Sequence, residues 1–479
     1  MDKIFFISQT SSLTLVIIIS VIFAILGINY SKKFQGINNY LTANRNIGFF
    51  SLTTSLVASA LGAWVLFGPA AAATWGGIGA VLGYALGTAF PMIFLIYFGK
   101  KIREEFPKGS SLVEFMRKKF GKSLFKLILI MTIFYMFIFL CAEVTAVSVL
   151  INYISGTELW ITALIVLFAT LIYTLYGGLR ASIFTDNIQM IVLAILLLIS
   201  ASFIILYSEG QFSFSFVEYK NPQLLSKSYI PNYTAGLTFF IAVAATNLFH
   251  QGNWQRVYAA KNYQTLKKSL IFSFLIIIPI VFFMGFAGMV AFSVDSSTRP
   301  DLGFFSLLLK DQTKMLSLII ITLGLALTIS TVDTLVNAIS SLFVIDGKAT
   351  FNLKKNTDYL KLSKYFIVFL SLIAFTIASK GFDILYLFLL ADLFCCAFVF
   401  TVFYSFYNKL NEKTAYISII IGLIGGFLMF PFPGFSKSLL VGVLLPKELF
   451  SQFIAQSLLF LSFVIATFLP VLILKIKKN

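Results

Sequence analysis

The sequence predicts an all-α integral membrane protein with about thirteen transmembrane helices, and three observations predict it. Of 479 residues, 59% are hydrophobic and 11% charged, with a mean hydropathy of +0.94, whereas soluble domains carry about 25% charged residues. Apolar runs long enough to cross a hydrocarbon core of roughly 30 Å, which takes about 20 helical residues, recur along the whole chain. The basic residues, finally, collect in alternate short loops instead of one patch. A net charge of +17 spread in this way argues against a nucleic-acid partner.

The first apolar run, Ser11 to Tyr30, is too long for the hydrophobic part of a signal peptide, and its charges Lys32 and Lys33 follow it. It reads as a first membrane helix with its N-terminus outside. Further spans are predicted near 48–75, 78–99, 124–153, 159–177, 185–207, 235–255, 269–293, 315–343, 364–380, 382–407, 414–433 and 450–474. The inner loops are then 31–47, 100–126, 178–184, 256–268, 344–364, 408–413 and 475–479, and they hold 27 of the 36 Lys and Arg. This bias follows the positive-inside rule and places the C-terminus in the cytoplasm of a multi-pass protein of the plasma (inner) membrane. Within the richest loop, SSLVEFM reads as a short amphipathic helix capped by Ser110 or Ser111, against anionic lipid or as a hinge. Cys141, Cys395 and Cys396 all lie inside apolar spans, which leaves neither a disulfide framework nor zinc spacing.

Two spans are chemically odd. The second contains ASALGAWVLFGPAAAATWGG, where Gly62, Gly68 and Pro69 weaken a helix without charges. The seventh contains AATNLFHQGNWQR, with five polar or flexible residues between Asn247 and Asn253. Interrupted helices at matching positions of two halves point to an inverted-repeat transporter. The odd spans open two consecutive sets of five, 48–207 and 235–407, and an odd number of helices per set forces the second copy upside down. One helix (11–30) precedes this core and two (414–474) follow it, in a single transmembrane domain.

Four segments carry a resemblance: YLTANR at 40–45, GGLRASIFTDNIQ at 177–189, HQ…WQR…AAK over 250–261, and STVDT at 330–334 running on to Ser340, Ser341 and Asp346. In this order they resemble the sodium:solute symporter family, the second being the most specific. The resemblance implies a LeuT-type fold and sodium-coupled import of a small polar solute. It also implies a sodium ion held by the carbonyls of Ala58, Leu61 and Leu327 and the hydroxyls of Ser330 and Thr331. Neutral oxygens at a broken helix suit a hard monovalent cation. The two hydroxyls have an alternative in bonding back to carbonyls one turn earlier.

Charges inside a membrane cost about 2.5–3.5 kcal/mol each on insertion scales, so each needs a reason. The resemblance implies an ion-path role for Asp186, which also reads as an N-cap carboxylate. Asp333, one turn past Ser330, is a second ion-path candidate or a structural hydrogen-bond acceptor. Glu143 and Asp392 have no partner visible in the sequence. Ala60 stands where proline permeases carry an aspartate, which weakens proline as cargo. Trp64, Thr246, Asn247, His250 and Gln251 are the expected substrate lining, with His250, the one histidine, a structural donor as readily as a ligand. The 55 phenylalanines are expected mostly to face lipid. An embedded enzyme would need clustered carboxylates or histidines, a channel a charged ring, and a sensor a kinase after the last span; none is evident. A proton-coupled version of the same carrier is the nearest alternative. The partners expected are solute, sodium and lipid, with no obligate protein partner.

Overall fold

A computed structural model describes residues 5–309, 313–347, 350, 358–407, 410–435, 437–444 and 451–476. The inner loops expected at 344–364, 408–413 and 475–479 therefore fall in part outside the described residues. The chain opens with α1 (Gln9–Ser31), α2 (Ile37–Thr42), α3 (Phe49–Ala60), α4 (Trp64–Glu105), α5 (Leu112–Lys119) and α6 (Lys122–Ser155). It continues through α7 (Leu159–Tyr207), α8 (Phe214–Lys220), α9 (Ile230–Phe249), α10 (Gln251–Ala259), α11 (Tyr263–Val294) and α12 (Gly303–Leu308). The last six are α13 (Lys314–Leu342), α14 (Tyr359–Ala378), α15 (Ile384–Tyr404), α16 (Glu412–Met429), α17 (Leu439–Leu444) and α18 (Gln452–Ile476). Among the described residues, extended pairing is limited to two isolated bridges, Ile47 with Ala260 and Pro431 with Ser438. Among the described residues, ten helices are long and apolar enough to cross a membrane.

At 1.5 Å per residue, the 42 residues of α4 and the 49 of α7 would each run about twice the thickness of a bilayer core if straight. Neither is straight. Gly77 (φ 52°, ψ −150°) interrupts α4 and Gly178 (φ 59°, ψ −147°) interrupts α7. Both conformations belong to glycine, and a Cβ at either would also strike its neighbours, Leu224 O at 2.2 Å and Tyr40 Cδ2 at 2.5 Å. The loop expected at 178–184 is thus a single-residue kink, with helix resuming at Leu179.

Burial runs outward from α13, in which every residue from Leu323 to Leu342 is buried. Large apolar side chains such as Phe168, Ile195 and Leu198 lie exposed on the outside, the arrangement of a protein solvated by lipid. Apolar burial drives little association in lipid, so close backbone packing has to bring helices together. Gly79, Gly83 and Gly87 form a stripe on the second half of α4. A Cβ on Gly79 would lie 1.7 Å from Asn232 O, and one on Gly83 2.2 Å from Gly236 O. α4 and α9 therefore meet backbone to backbone. The segment read as amphipathic is α5, whose cap is Ser111, with its Oγ accepting from Glu114 N–H at 2.8 Å. Ser111 Oγ also donates to Asp346 Oδ2 at 2.8 Å, and Leu112, Val113, Phe115 and Met116 are buried, so α5 packs on protein.

Candidate functional site

The helical ladder of α3 ends with the bond from Leu61 N–H to Val57 O, 3.0 Å. Leu61 then leaves helical geometry (φ −108°, ψ 85°). The donors that would have bonded the Ser59, Ala60 and Leu61 carbonyls turn elsewhere. Ala63 N–H and Trp64 N–H go to the two oxygens of Glu143, at 2.8 and 3.5 Å, and Val65 N–H goes to Gly62 O at 3.2 Å. Glu143, fully buried in α6, thus caps the N-terminus of α4 from another helix. A Cβ on Gly62 would lie 2.2 Å from Glu143 Oε1, so glycine makes room for the cap. What the break offers to a ligand is a set of backbone acceptors.

Facing it is α13. Ser330 Oγ donates to Asp186 Oδ1 at 2.6 Å, and Thr331 Oγ1 donates to Leu327 O at 3.2 Å, the back-bond considered from the sequence. A hydroxyl that donates once keeps its lone pairs, so both residues can still present oxygen to a cation. Thr331 lines one cavity together with Ser59 and Ala60, which brings the broken end of α3 against the middle of α13.

Asp186 lies eight residues beyond Gly178 and so is no N-cap. Its Oδ2 accepts from Ser55 Oγ at 2.5 Å and from Arg256 Nη2 at 2.7 Å, an ion pair with both side chains fully buried. Arg256 donates further to Ser55 Oγ (2.7 Å), Gly252 O (3.0 Å) and Thr334 Oγ1 (3.0 Å). Asp333 accepts from Tyr173 (2.6 Å), Ser182 (2.7 Å) and Thr185 (3.0 Å), all on α7. Its hydrogen bonds pin α13 to α7.

The second break falls at His250 (φ −60°, ψ 109°), between α9 and α10. Here nearby side chains return to the exposed carbonyls. Asn253 Nδ2 donates to Asn247 O at 2.9 Å and Trp254 Nε1 to Leu248 O at 2.7 Å. His250 Nδ1 is buried without a hydrogen-bond partner.

Between the two breaks lies a narrow cavity of about 20 Å³, room for about one water molecule. Of the expected lining residues it collects Trp64, Thr246, Asn247 and His250. Gln251 is placed elsewhere, its Nε2 donating to Ser110 O at 3.0 Å toward α5. Tyr84 and Asp392 join the lining, with Asp392 Oδ1 accepting from Thr246 Oγ1 at 2.6 Å. A wider surface cleft of about 240 Å³ between Tyr207 and Asp295 shares no residue with this cavity. Sequence reasoning left Glu143 and Asp392 without partners and gave Arg256 no part beyond its motif. An uncompensated charge in an apolar span was the signal for Glu143 and Asp392, whereas Arg256 was expected at the start of the inner loop 256–268 and is instead fully buried in α10.

Comparison with known proteins adds to this geometry. The profile of the sodium:solute symporter family matches residues 40–422. The spermidine transporter DUR31 of Candida albicans is 26% identical over 79% of this chain and 71% of its own length. The sodium/glucose cotransporter 1 of Ovis aries is 26% identical over 39% of this chain and 28% of its own. A Na+-coupled sialic acid symporter, solved substrate-bound and outward-open, superimposes with a TM-score of 0.71 at 17% identity, covering 96% of this chain and 97% of that one. A nucleobase-cation-symport-1 family transporter in a closed conformation gives 0.56 at 14% identity, over 92% and 95%.

Proposed function

Because the chain belongs to the sodium:solute symporter family, and so is a multi-pass membrane transporter and not an enzyme, we propose that it is a sodium-coupled secondary active symporter importing a small polar organic solute by alternating access. Sodium is the coupling ion, held by the carbonyls of Ala58, Leu61 and Leu327 with the hydroxyls of Ser330 and Thr331. The observation that carries this reading is that Thr331, one of the five proposed ligands, lines the cavity beside Ser59 and Ala60 at the broken end of α3, so ion and solute share a boundary. Ion binding that draws α3 and α13 together would therefore shape the solute pocket.

Counting α4 and α7 as two crossings each, and α3 with the start of α4, and α9 with α10, as one broken crossing apiece, gives thirteen spans. They arrange as one helix, five, five inverted, and two, with the N-terminus outside and the C-terminus inside the plasma (inner) membrane. The Asp186–Arg256 pair stands next to Ser330 and fits a place on the ion's route. Asp333, with its acceptor capacity taken up by α7, fits a supporting role there. The cargoes of the relatives, a polyamine and a sugar, bracket many solutes and select none. One elementary charge falling through 100 mV supplies about 2.3 kcal/mol, or roughly fifty-fold accumulation, so a single ion suffices for useful uptake.

The test is uptake of a metabolite panel into proteoliposomes with and without an inward sodium gradient. Uptake of at least one solute is expected to rise at least tenfold with the gradient and to lose that response in the Ser330→Ala/Thr331→Ala variant. Uptake indifferent to sodium, or driven equally by a proton gradient alone, sinks the reading.

A further inference from the structure

We infer that the cavity between the two breaks selects a protonated amine, with Asp392 as its counter-ion and the aromatic faces beside it as its walls. The inference deepens the proposed function and rests on that cavity being the solute site.

The four carboxylates inside the membrane are not alike. Asp186 has a guanidinium at 2.7 Å. Glu143 receives two backbone amides, and Asp333 three side-chain hydroxyls at 3.0 Å or less. Asp392, only 4% exposed, receives one hydroxyl, from Thr246, on one of its two oxygens. Its other oxygen takes no hydrogen bond from the described residues, and it is the one carboxylate of the four that lines the cavity. A buried carboxylate with neither a cation nor a full set of donors is costly to keep charged unless a proton or a cation joins it. No Lys or Arg lines the cavity, so the missing positive charge does not come from its walls.

The rest of the lining fits a cation. Trp64 stacks on Tyr84 with ring centroids 5.8 Å apart, and Tyr84 on Phe239 at 4.3 Å. On α15, Phe388 precedes Asp392 by one turn and so shares its face, with Phe139 edge-on to it at 4.7 Å. An ammonium over such faces is attracted by the negative face of each ring. Ser59 and the acceptors released near Ala60 supply oxygens for N–H groups, which a quaternary ammonium lacks and a protonated primary amine has. Asp392 thus sets the charge, the rings the shape, and the break the hydrogen-bonding requirement.

The experiment uses the full-length protein in detergent with saturating sodium, and measures binding of butylamine, butane-1,4-diamine, tetramethylammonium and butane-1,4-diol by calorimetry. At least one of the two primary amines is expected to bind at least tenfold tighter than both the diol and tetramethylammonium. Asp392→Asn is expected to weaken that amine at least tenfold and Asp392→Glu to restore part of the loss. A cooperative thermal melt and a single size-exclusion peak, both without ligand, report that each variant is folded. Diol binding equal to the amine's overturns the inference, as does amine binding untouched by Asp392→Asn, including the case where only the pH profile of uptake moves. Should amines bind through Asp392 while uptake ignores sodium, the coupling reading falls and this one stands; sodium-driven uptake confined to neutral solutes gives the converse.

Discussion

The two broken helices occupy matching places in the chain, yet their backbones are satisfied in opposite ways. At the first break, residues 61–63, a carboxylate 80 residues away in another helix takes the free N–H groups and leaves carbonyls open. At the second, around His250, Asn253 and Trp254 return to the carbonyls of Asn247 and Leu248, each six residues back. One break is held from outside and offers acceptors; the other is held from within and has given its nearest acceptors away. Topology alone therefore does not make an ion site. Which backbone groups lack partners decides where a bare cation finds oxygen.

This difference can be broken or sharpened by substitution. The largest effect is expected from Glu143→Ala, which orphans two buried amides at a cost of about 2–6 kcal/mol, taking about 1–3 for each. A thermal melt should show the loss, and sodium should no longer raise the melting temperature. Gly62→Ala comes next, since its Cβ would meet Glu143 Oε1 at 2.2 Å; displacing the cap costs about 1–3 kcal/mol and should raise the sodium concentration for half-maximal stabilisation several-fold. Asn253→Ala, at the other break, is expected to cost about 1 kcal/mol and leave that sodium concentration unchanged. If Asn253→Ala and Glu143→Ala disturb sodium equally, the two breaks are not different in kind.

The smallest effect concerns pH beside the second break, where α5 receives Gln251. Burial holds the Glu114 carboxyl above the ordinary glutamate range, outweighing the bond it accepts from Ser110 N–H. The folded chain then keeps a proton that the unfolded chain has released, so stability should decline as pH rises through the ordinary carboxylate range. Glu114→Gln should flatten that slope in melts taken across pH.

Much of the architecture was legible because lipid imposes a simple rule on long apolar runs. The breaks were legible too, in the glycines near Leu61 and the polar cluster after Asn247. The turn between the halves of α7 was misjudged in length, since Gly178 does alone what seven residues were expected to do. The stripe of Gly79, Gly83 and Gly87 is a readable small-residue signal for the close crossing of α4 and α9, and it was passed over. Partners of Glu143 and Asp392 were beyond reach, because they lie 80 and 146 residues away and one sequence carries no record of which distant atoms meet. Asp186 was placed at a helix start because the start was set at 185; with helix resuming at Leu179, its carboxylate turns inward to Arg256.

Ile47 and Ala260 pair as a parallel bridge, with Ile47 N–H to Ala259 O at 3.0 Å and Lys261 N–H to Ile47 O at 3.1 Å. One end of α3 is thereby stitched to the end of α10, and Arg256 fastens the same two segments again through Ser55. α3 and α10, whose Ser55 and Arg256 lie 201 residues apart in the chain, are in effect one lever. Any motion that opens the protein on that side must swing both together, so a cross-link joining α3 to α10 should leave turnover intact, while one anchoring either of them to α13 should stop it.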